Sequence, residues 1–442
     1  MATRVYDEEF ENEQGRMSAA LFLALVSLLF GAAASKQNFE TLYEWTFLPY
    51  DLPANSYIPQ NNLFTGLELS EDRIFLAIPN LRSGIPIALA WLPRPDHPVP
   101  PIVGKSPALQ PYPSLEWQGT AGNCTGLVSV YRTRVDRCNR LWVVDSGVIT
   151  TLENYSPVCP PKILVFDLKT DALVRTIILP REVLRPHSLL TNIIIDYEIV
   201  GTGGGGGSYY GSNPQRQQTC DDVFLYVSDS TSAALVVYDV RNDAAWRVFH
   251  PTMLPHPDYS TYSVAGESFT LPDAVVGLAL SPETGAHKAD IFGNPLYRGQ
   301  RVLYYQPFAG LRLFSIPTSI LQTPQQEEAD LQVKIVFEKS SQSAPLACDP
   351  VDGTLYFNPV SELAIVSLIP GSRRAQIVAK DPEALQFSSD ILISPNDNYS
   401  IWFVSSKFQK YFRQTYDPNA INFRIMRIPR QSYVTYKYPF FF

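Results

Sequence analysis

The chain has 442 residues, of which 45 % are hydrophobic, 12 % aromatic and 18 % charged, so it can bury a large core and is not a disordered protein. Its 35 basic and 43 acidic side chains give a formal net charge of −8. This acidic balance argues against nucleic-acid binding, which draws its affinity from clustered Lys and Arg. The 37 prolines and the lack of long helical periodicity exclude a helical bundle and favour an all-β chain with long loops.

The N-terminal region predicts export from the cell. Residues 17–35 (MSAALFLALVSLLFGAAAS) carry no charge and end in small residues, as in the core and cleavage site of a signal peptide. The residues before them are acidic, which is unusual for a signal peptide and leaves both Met1 and Met17 as candidate starts. We predict an N-terminal extension and cleavable signal peptide over 1–35, one domain over 36–442, and a secreted, extracellular protein that has no membrane association after cleavage. An uncleaved signal anchor is the alternative.

Glycosylation sequons and cysteines agree with secretion. N-glycosylation is predicted at three sequons, whose acceptors are Asn123, Asn154 and Asn398. The five cysteines have neither C-x-x-C nor zinc-finger spacing, so we predict no metal site. Two disulfides and one free thiol are the better interpretation for an exported chain.

Short β-rich runs recur along the chain, each one preceded and followed by another short strand. The central run of each group lies at residues 73–79, 140–147, 223–230, 302–310, 354–360 and 401–406. The intervals between these runs approach the ~40–45 residues of one propeller blade, and the surplus is loop. The pattern predicts a six-bladed β-propeller, in which radial packing protects the sheet edges without helices.

This topology makes further predictions. The first strand of each blade lines the central channel, and residues 42–50 pair with 421–429 to close the ring. Residues 93–113 and 203–207 are interpreted as surface loops.

The predicted rims of the blades suggest how the cysteines pair. Cys124 and Cys159 precede strands that start at the same rim of one blade, so they are expected to form one disulfide. Cys138 and Cys220 precede second strands in neighbouring blades and share the opposite rim, which predicts the other. Cys348 then remains free.

Several blocks of the sequence resemble the yellow/major royal jelly protein family of insects. They are residues 42–53 (LYEWTFLPYDLP), 122–147 (GNCTGLVSVYRTRVDRCNRLWVVDSG), 159–168 (CPPKILVFDL), 275–282 (VVGLALSP) and 302–310 (VLYYQPFAG). The resemblance implies a secreted six-bladed propeller with a role in cuticle pigmentation and melanin formation. Some members of that family are credited with dopachrome conversion, others bind serotonin and catecholamines in the channel, and others are nutritive.

Carboxylates at strand ends are the candidate ligand-binding groups. Asp145 and Asp229 close equivalent second strands, where they either cap a turn or face a cationic amine in the channel. Such an amine needs a carboxylate and aromatic faces, with cation–π attraction of ~0.5–2 kcal/mol. The further channel candidates are Asp273, Tyr305, Phe357 and Asn358. His187 precedes an inner strand and is placed near the channel mouth.

Three functions remain open. The first is binding or conversion of a catechol- or indole-type small molecule or a biogenic amine, since tautomerisation needs only a proton acceptor and donor. The second is a calcium-dependent lactonase or esterase, for which Glu68, Asn192 and Asp273 could supply oxygen ligands. The third is a non-catalytic structural, storage or signalling protein. No P-loop, G-x-S-x-G or H-E-x-x-H motif occurs, so no cofactor is predicted, and the catalytic residues and oligomeric state stay open.

Overall fold

The described part of the chain contains six four-stranded antiparallel sheets, which form a six-bladed β-propeller as the sequence predicts. The computed structural model describes residues 39–53, 56–95, 105–119, 123–197, 219–282, 301–324 and 331–430. The predicted signal peptide and the glycine run at 203–207 lie outside the described residues. None of the helices in the described part of the chain has the length and apolar character needed to cross a bilayer.

The blades follow one another in chain order, and the strands within each blade run from the channel outward. Blade 1 contains β2 (Gly66–Leu69), β3 (Arg73–Ala77), β4 (Leu89–Pro93) and β5 (Gln110–Pro111). Blade 2 contains β6 (Val130–Val135), β7 (Arg140–Asp145), β10 (Lys162–Asp167) and β11 (Leu173–Ile178). Blade 3 contains β12 (Leu190–Tyr197), β13 (Val223–Asp229), β14 (Ala234–Asp239) and β15 (Ala244–Val248).

The second half of the chain repeats this arrangement. Blade 4 contains β18 (Val275–Leu280), β19 (Val302–Pro307), β20 (Arg312–Pro317) and β21 (Lys334–Glu338). Blade 5 contains β22 (Leu346–Cys348), β23 (Leu355–Phe357), β24 (Ala364–Leu368) and β25 (Gln376–Lys380). Blade 6 contains β26 (Ile391–Ser394), β27 (Ser400–Ser406), β28 (Phe423–Ile428) and β1 (Glu40–Trp45).

Short elements decorate the rims of the blades. Two hairpins pair β8 (Val148–Ile149) with β9 (Ser156–Pro157) and β16 (Thr261–Val264) with β17 (Glu267–Thr270). The α-helices within the described ranges are α1 (Thr318–Leu321) and α2 (Phe408–Arg413). Single 3-10 turns lie at Pro59–Asn61, Leu115–Trp117, Arg181–Val183, Pro251–Met253, Pro257–Tyr259, Val360–Glu362 and Pro395–Asp397.

Hydrophobic side chains fill the interfaces between neighbouring blades. Each of the six interfaces has its own cluster of buried residues. Trp142 and Trp402, for example, are completely buried in two of them. Because a blade is covered on both faces, its strands read as apolar runs, as in residues 140–145 (RLWVVD), rather than alternating with polar residues.

The first and last strands of the described chain close the ring. β1 pairs with β28 in an antiparallel register that includes Glu40 with Arg427 and Trp45 with Phe423. The indole Nε1 of Trp45 also donates to the carbonyl oxygen of Pro107 at 2.9 Å. The predicted closure is therefore confirmed.

One predicted loop contains a strand. The sequence predicts a surface loop over residues 93–113, but Gln110–Pro111 is the outer strand of blade 1, paired with β4. The amide of Tyr112 donates to the carbonyl of Leu89 at 2.9 Å, and its ring is buried. A two-residue strand that contains a proline, Pro111, gives no periodic signal in the sequence, so tertiary packing defines this strand.

The disulfides join Cys124 to Cys159 and Cys138 to Cys220, which are the pairs expected from the sequence. The first lies within blade 2 and the second ties blade 2 to blade 3. Cys348 is a free, half-buried thiol.

Replacing Gly147, which follows β7, tests the close packing beside the first disulfide. Its φ is +66°, and a Cβ would lie 2.2 Å from the carbonyl oxygen of Cys159. Gly147→Ala should therefore destabilise the protein by about 3 kcal/mol or more, measured by urea unfolding. Gly266→Ala is the matched control, because Gly266 also has a positive φ of +82° but nothing within 4 Å. It should cost only about 1 kcal/mol, and equal losses would contradict the proposed clash.

Candidate functional site

An apolar cavity of about 240 Å³ lies at the rim of the channel where the inner strands begin. We call it the aromatic cavity, and its walls include the rings of Tyr131, Tyr155, Phe308, Phe387 and Phe408. An apolar cavity of ~150 Å³ holds benzene, so this one has room for a larger ring system. The cavity is therefore suited to a flat, aromatic ligand.

Asp273 supplies a carboxylate to this cavity. It lies two residues before β18, and its position is fixed because its carbonyl oxygen accepts a hydrogen bond from Ala309 N at 2.9 Å. Among the described residues, no side chain or backbone group pairs with its carboxylate. Burial raises the pKa of Asp273 to about 7, since no donor or cation compensates for lost water. A carboxyl group of this kind exchanges protons near neutral pH.

Hydroxyl groups and a histidine surround the mouth of the aromatic cavity. The hydroxyl of Tyr131 lies 3.2 Å from Thr151 Oγ1, and the hydroxyl of Tyr155 donates to Ser188 O at 2.8 Å. His187 is exposed, and its ring packs edge-on against Tyr155 with the ring centroids 5.5 Å apart. His187 thus lies near the mouth, as its sequence position suggests, while Tyr155 lines the cavity itself.

A charged layer crosses the channel beneath the aromatic cavity. Arg132 Nη1 lies 2.5 Å from Asp390 Oδ2, and Arg134 Nη1 lies 3.4 Å from the same oxygen. Arg134 also approaches Glu68 at 3.9 Å and donates to Asn192 Oδ1 at 3.4 Å. We call these five residues the hub layer.

The contacts of the hub layer do not support the calcium hypothesis. A guanidinium contacts both Glu68 and Asn192, so a protein cation already lies where their oxygens converge. Asp273, the third expected ligand, lines the aromatic cavity instead. The structure does not bring the three together, and within the described ranges no cluster of three metal-ligating side chains occurs.

Asp145 and Asp229 make contacts that are typical of residues with a structural role. Both are completely buried at the ends of second strands. Asp145 accepts hydrogen bonds from the backbone amides of Val128 and Ser129 and pairs with Lys162 Nζ at 2.8 Å. Asp229 accepts from Leu189 N and pairs with Arg247 Nη1 at 2.8 Å. Neither lines the aromatic cavity, so their geometry is that of the turn-capping alternative.

The remaining channel candidates also lie away from the aromatic cavity. Tyr305 is buried between blades 3 and 4, where its hydroxyl contacts Thr252 Oγ1 at 2.5 Å. Phe357 belongs to the core between blades 4 and 5. Asn358 donates to Ala364 O and accepts from Ser388 N, which links blades 5 and 6. Of the six candidates, only Asp273 reaches the cavity.

Sequence reasoning missed the aromatic walls. Phe308 directly follows β19, and Tyr131 lies near the start of β6, so both project at the rim. Their position at a strand end is the sequence signal that could have identified them. This criterion holds for aromatic residues as well as for acidic ones. Phe387 and Phe408 lie outside the repeated strands that the pattern identifies. The predicted glycosylation acceptors Asn123, Asn154 and Asn398 are all exposed, and their modification stays a prediction.

Comparisons with known proteins give a consistent result. Residues 128–435 match the model of a family described as Major royal jelly protein. Over 417 residues the chain is 28 % identical to the dopaminechrome tautomerase of Drosophila melanogaster, covering 89 % of this chain and 82 % of that protein. Over 429 residues it is 29 % identical to protein yellow of Drosophila yakuba, covering 92 % and 72 % respectively.

Replacing Asp145 tests its structural role. Asp145→Asn should destabilise the protein by about 3–5 kcal/mol at pH 8, because it leaves the buried ammonium of Lys162 without a counter-charge. The loss is measured by urea unfolding. A loss below about 1 kcal/mol would show that the pair contributes little to the fold.

Asp273→Asn, in contrast to Asp145→Asn, should stabilise the protein against unfolding. The pKa of Asp273 lies near 7 in the folded protein and near 4 in the unfolded protein. Ionisation of Asp273 therefore lowers the free energy of unfolding as the pH rises above about 4, and this loss is complete above pH 7. The variant should be more stable than the wild type by about 2–4 kcal/mol at pH 8 and equal to it near pH 4. Urea unfolding at both pH values measures this, and a destabilised variant at pH 8 would indicate a hidden partner for the carboxylate.

Proposed function

Because the chain belongs to the major royal jelly protein family, we propose that it is a secreted pigmentation protein that binds a catechol- or indole-type molecule in the aromatic cavity and tautomerises an aminochrome there. The observation that carries this proposal is the carboxylate of Asp273, which lies among aromatic walls and pairs with none of the described residues. The similarity to a dopaminechrome tautomerase supports the same reaction class.

The reaction fits the groups that the cavity offers. Tautomerisation of an aminochrome to a dihydroxyindole breaks two C–H bonds, one at each carbon of the saturated ring, and forms an O–H bond at each of the two quinone oxygens, with no net oxidation. It needs a proton carrier but no redox cofactor. The carboxylate of Asp273 accepts each proton from carbon in turn and releases it toward a quinone oxygen, and its pKa of about 7 makes it an efficient carrier near neutral pH. Flanking rings such as Phe308 and Phe387 hold the fused rings by stacking.

Binding of a biogenic amine without turnover is the second candidate. A primary ammonium group is stabilised by a carboxylate and by the faces of aromatic rings, and Asp273 lies beside both. The ammonium would supply the counter-charge that the described residues do not give this carboxylate. The two candidates share one site and differ in whether the proton leaves carbon.

Asp273→Asn tests the proposal directly. Conversion of dopaminechrome, followed by the loss of quinone absorbance, should fall by about 10²–10⁴-fold because the proton acceptor is removed. In the wild-type protein, kcat/KM should rise with pH through about 7, as Asp273 loses its proton.

Asp258→Asn is the matched control, since the Asp258 carboxylate is exposed and lies outside the cavity. It should leave conversion unchanged. Full activity of Asp273→Asn would refute Asp273 as the proton carrier. Dopamine binding by the wild type, measured by tryptophan fluorescence, without any acceleration of dopaminechrome decay would favour the non-catalytic candidate.

A further inference from the structure

A second cavity of about 240 Å³ opens at the opposite rim, where the inner strands end. We call it the arginine cavity, because Arg134 and Arg301 line it together with apolar side chains such as Leu278, Leu346 and Ile391. The hub layer separates it from the aromatic cavity: Arg132 lines the aromatic cavity, and Arg134 lines the arginine cavity.

The charge of Arg134 is incompletely compensated by its neighbours. Asp390 lies 2.5 Å from Arg132 but 3.4 Å from Arg134, and Glu68 is 3.9 Å away. Burial raises the pKa of Glu68 to about 7, so near neutral pH this carboxyl group is only partly ionised. Two guanidinium groups thus share the carboxylate of Asp390.

The described lining of the arginine cavity contains no acidic side chain. The side chain of Arg134 is 13 % exposed, compared with 4 % for Arg132, so it is the more accessible of the two guanidiniums. A carboxylate entering this cavity would meet a partly paired guanidinium below apolar walls. Guanidinium–carboxylate hydrogen bonds are among the stronger ones in proteins, and apolar walls favour a ligand with a hydrocarbon body over an inorganic anion.

We propose that the arginine cavity binds a small organic anion with an apolar body, a medium-chain carboxylate, whose carboxylate pairs with Arg134. This site is separate from the aromatic cavity and does not depend on the proposed tautomerase activity. The carboxylate supplements Asp390 and Glu68 as a counter-charge, and the hydrocarbon chain covers the apolar ends of the inner strands.

Calorimetric titration with octanoate tests the proposal. We expect one octanoate to bind per chain. Octan-1-ol should bind with an affinity at least about tenfold lower, and octylammonium should not bind. Arg134→Gln should weaken octanoate about tenfold or more. Absence of octanoate binding, or equal binding of the three probes, would overturn the proposal.

Two alanines three positions apart give a matched pair of variants. Ala347 is buried on β22 and lines the arginine cavity, whereas Ala344 is buried just before β22 and lines the aromatic cavity. Ala347→Leu should abolish octanoate binding and leave dopaminechrome conversion unchanged, while Ala344→Leu should leave octanoate binding unchanged. Octanoate binding that is lost in Ala344→Leu but kept in Ala347→Leu would place the anion in the aromatic cavity and overturn the proposal. Thermal unfolding of both variants confirms that they fold.

Discussion

The structure depends on charges that are buried at the centre of the propeller. Asp390, at the start of the blade 6 inner strand, pairs with Arg132 of blade 2 and accepts the amide of Leu67 of blade 1 at 3.0 Å. Burying such groups is costly unless they are paired and hydrogen-bonded, so this contact fixes three inner strands relative to one another. The same layer divides the channel into two cavities, and it thereby decides where a ligand can bind.

Most of the fold could be predicted because its determinants are local in sequence. Residues 140–145 and 223–229 are apolar runs ending in Asp, and each forms a second strand. The ring closure and the disulfides then follow from the topology of the blades. β5 could not be predicted, because a strand of two residues, one of them a proline, is defined only by its pairing with β4.

The site was less predictable, because sequence position does not reveal a side chain's partners. Asp145, Asp229 and Asp273 are all candidate ligand-binding carboxylates in the sequence, but in the described structure cations on later strands, Lys162 and Arg247, pair with only the first two. Tyr305 and Phe357 lie on second strands, where side chains point from the faces of the sheet into the interfaces between blades. The side chains that reach the aromatic cavity come from the rim-side ends of inner strands and from loops.

The contrast between the three aspartates supports a functional role for Asp273. Asp145 and Asp229 accept hydrogen bonds from the backbone of the turns that they cap, whereas the half-buried carboxylate of Asp273 has no partner among the described residues. A carboxylate that served only the fold would be expected to have such a partner. Because Asp273 also lies among aromatic rings, the proposed ligand, which has an ammonium group or an acidic C–H bond, would supply the interaction that the described residues do not give this carboxylate. Under the proposed function, binding and folding place opposite demands on this one residue, and the blade interfaces and the two disulfides supply stability that offsets its cost.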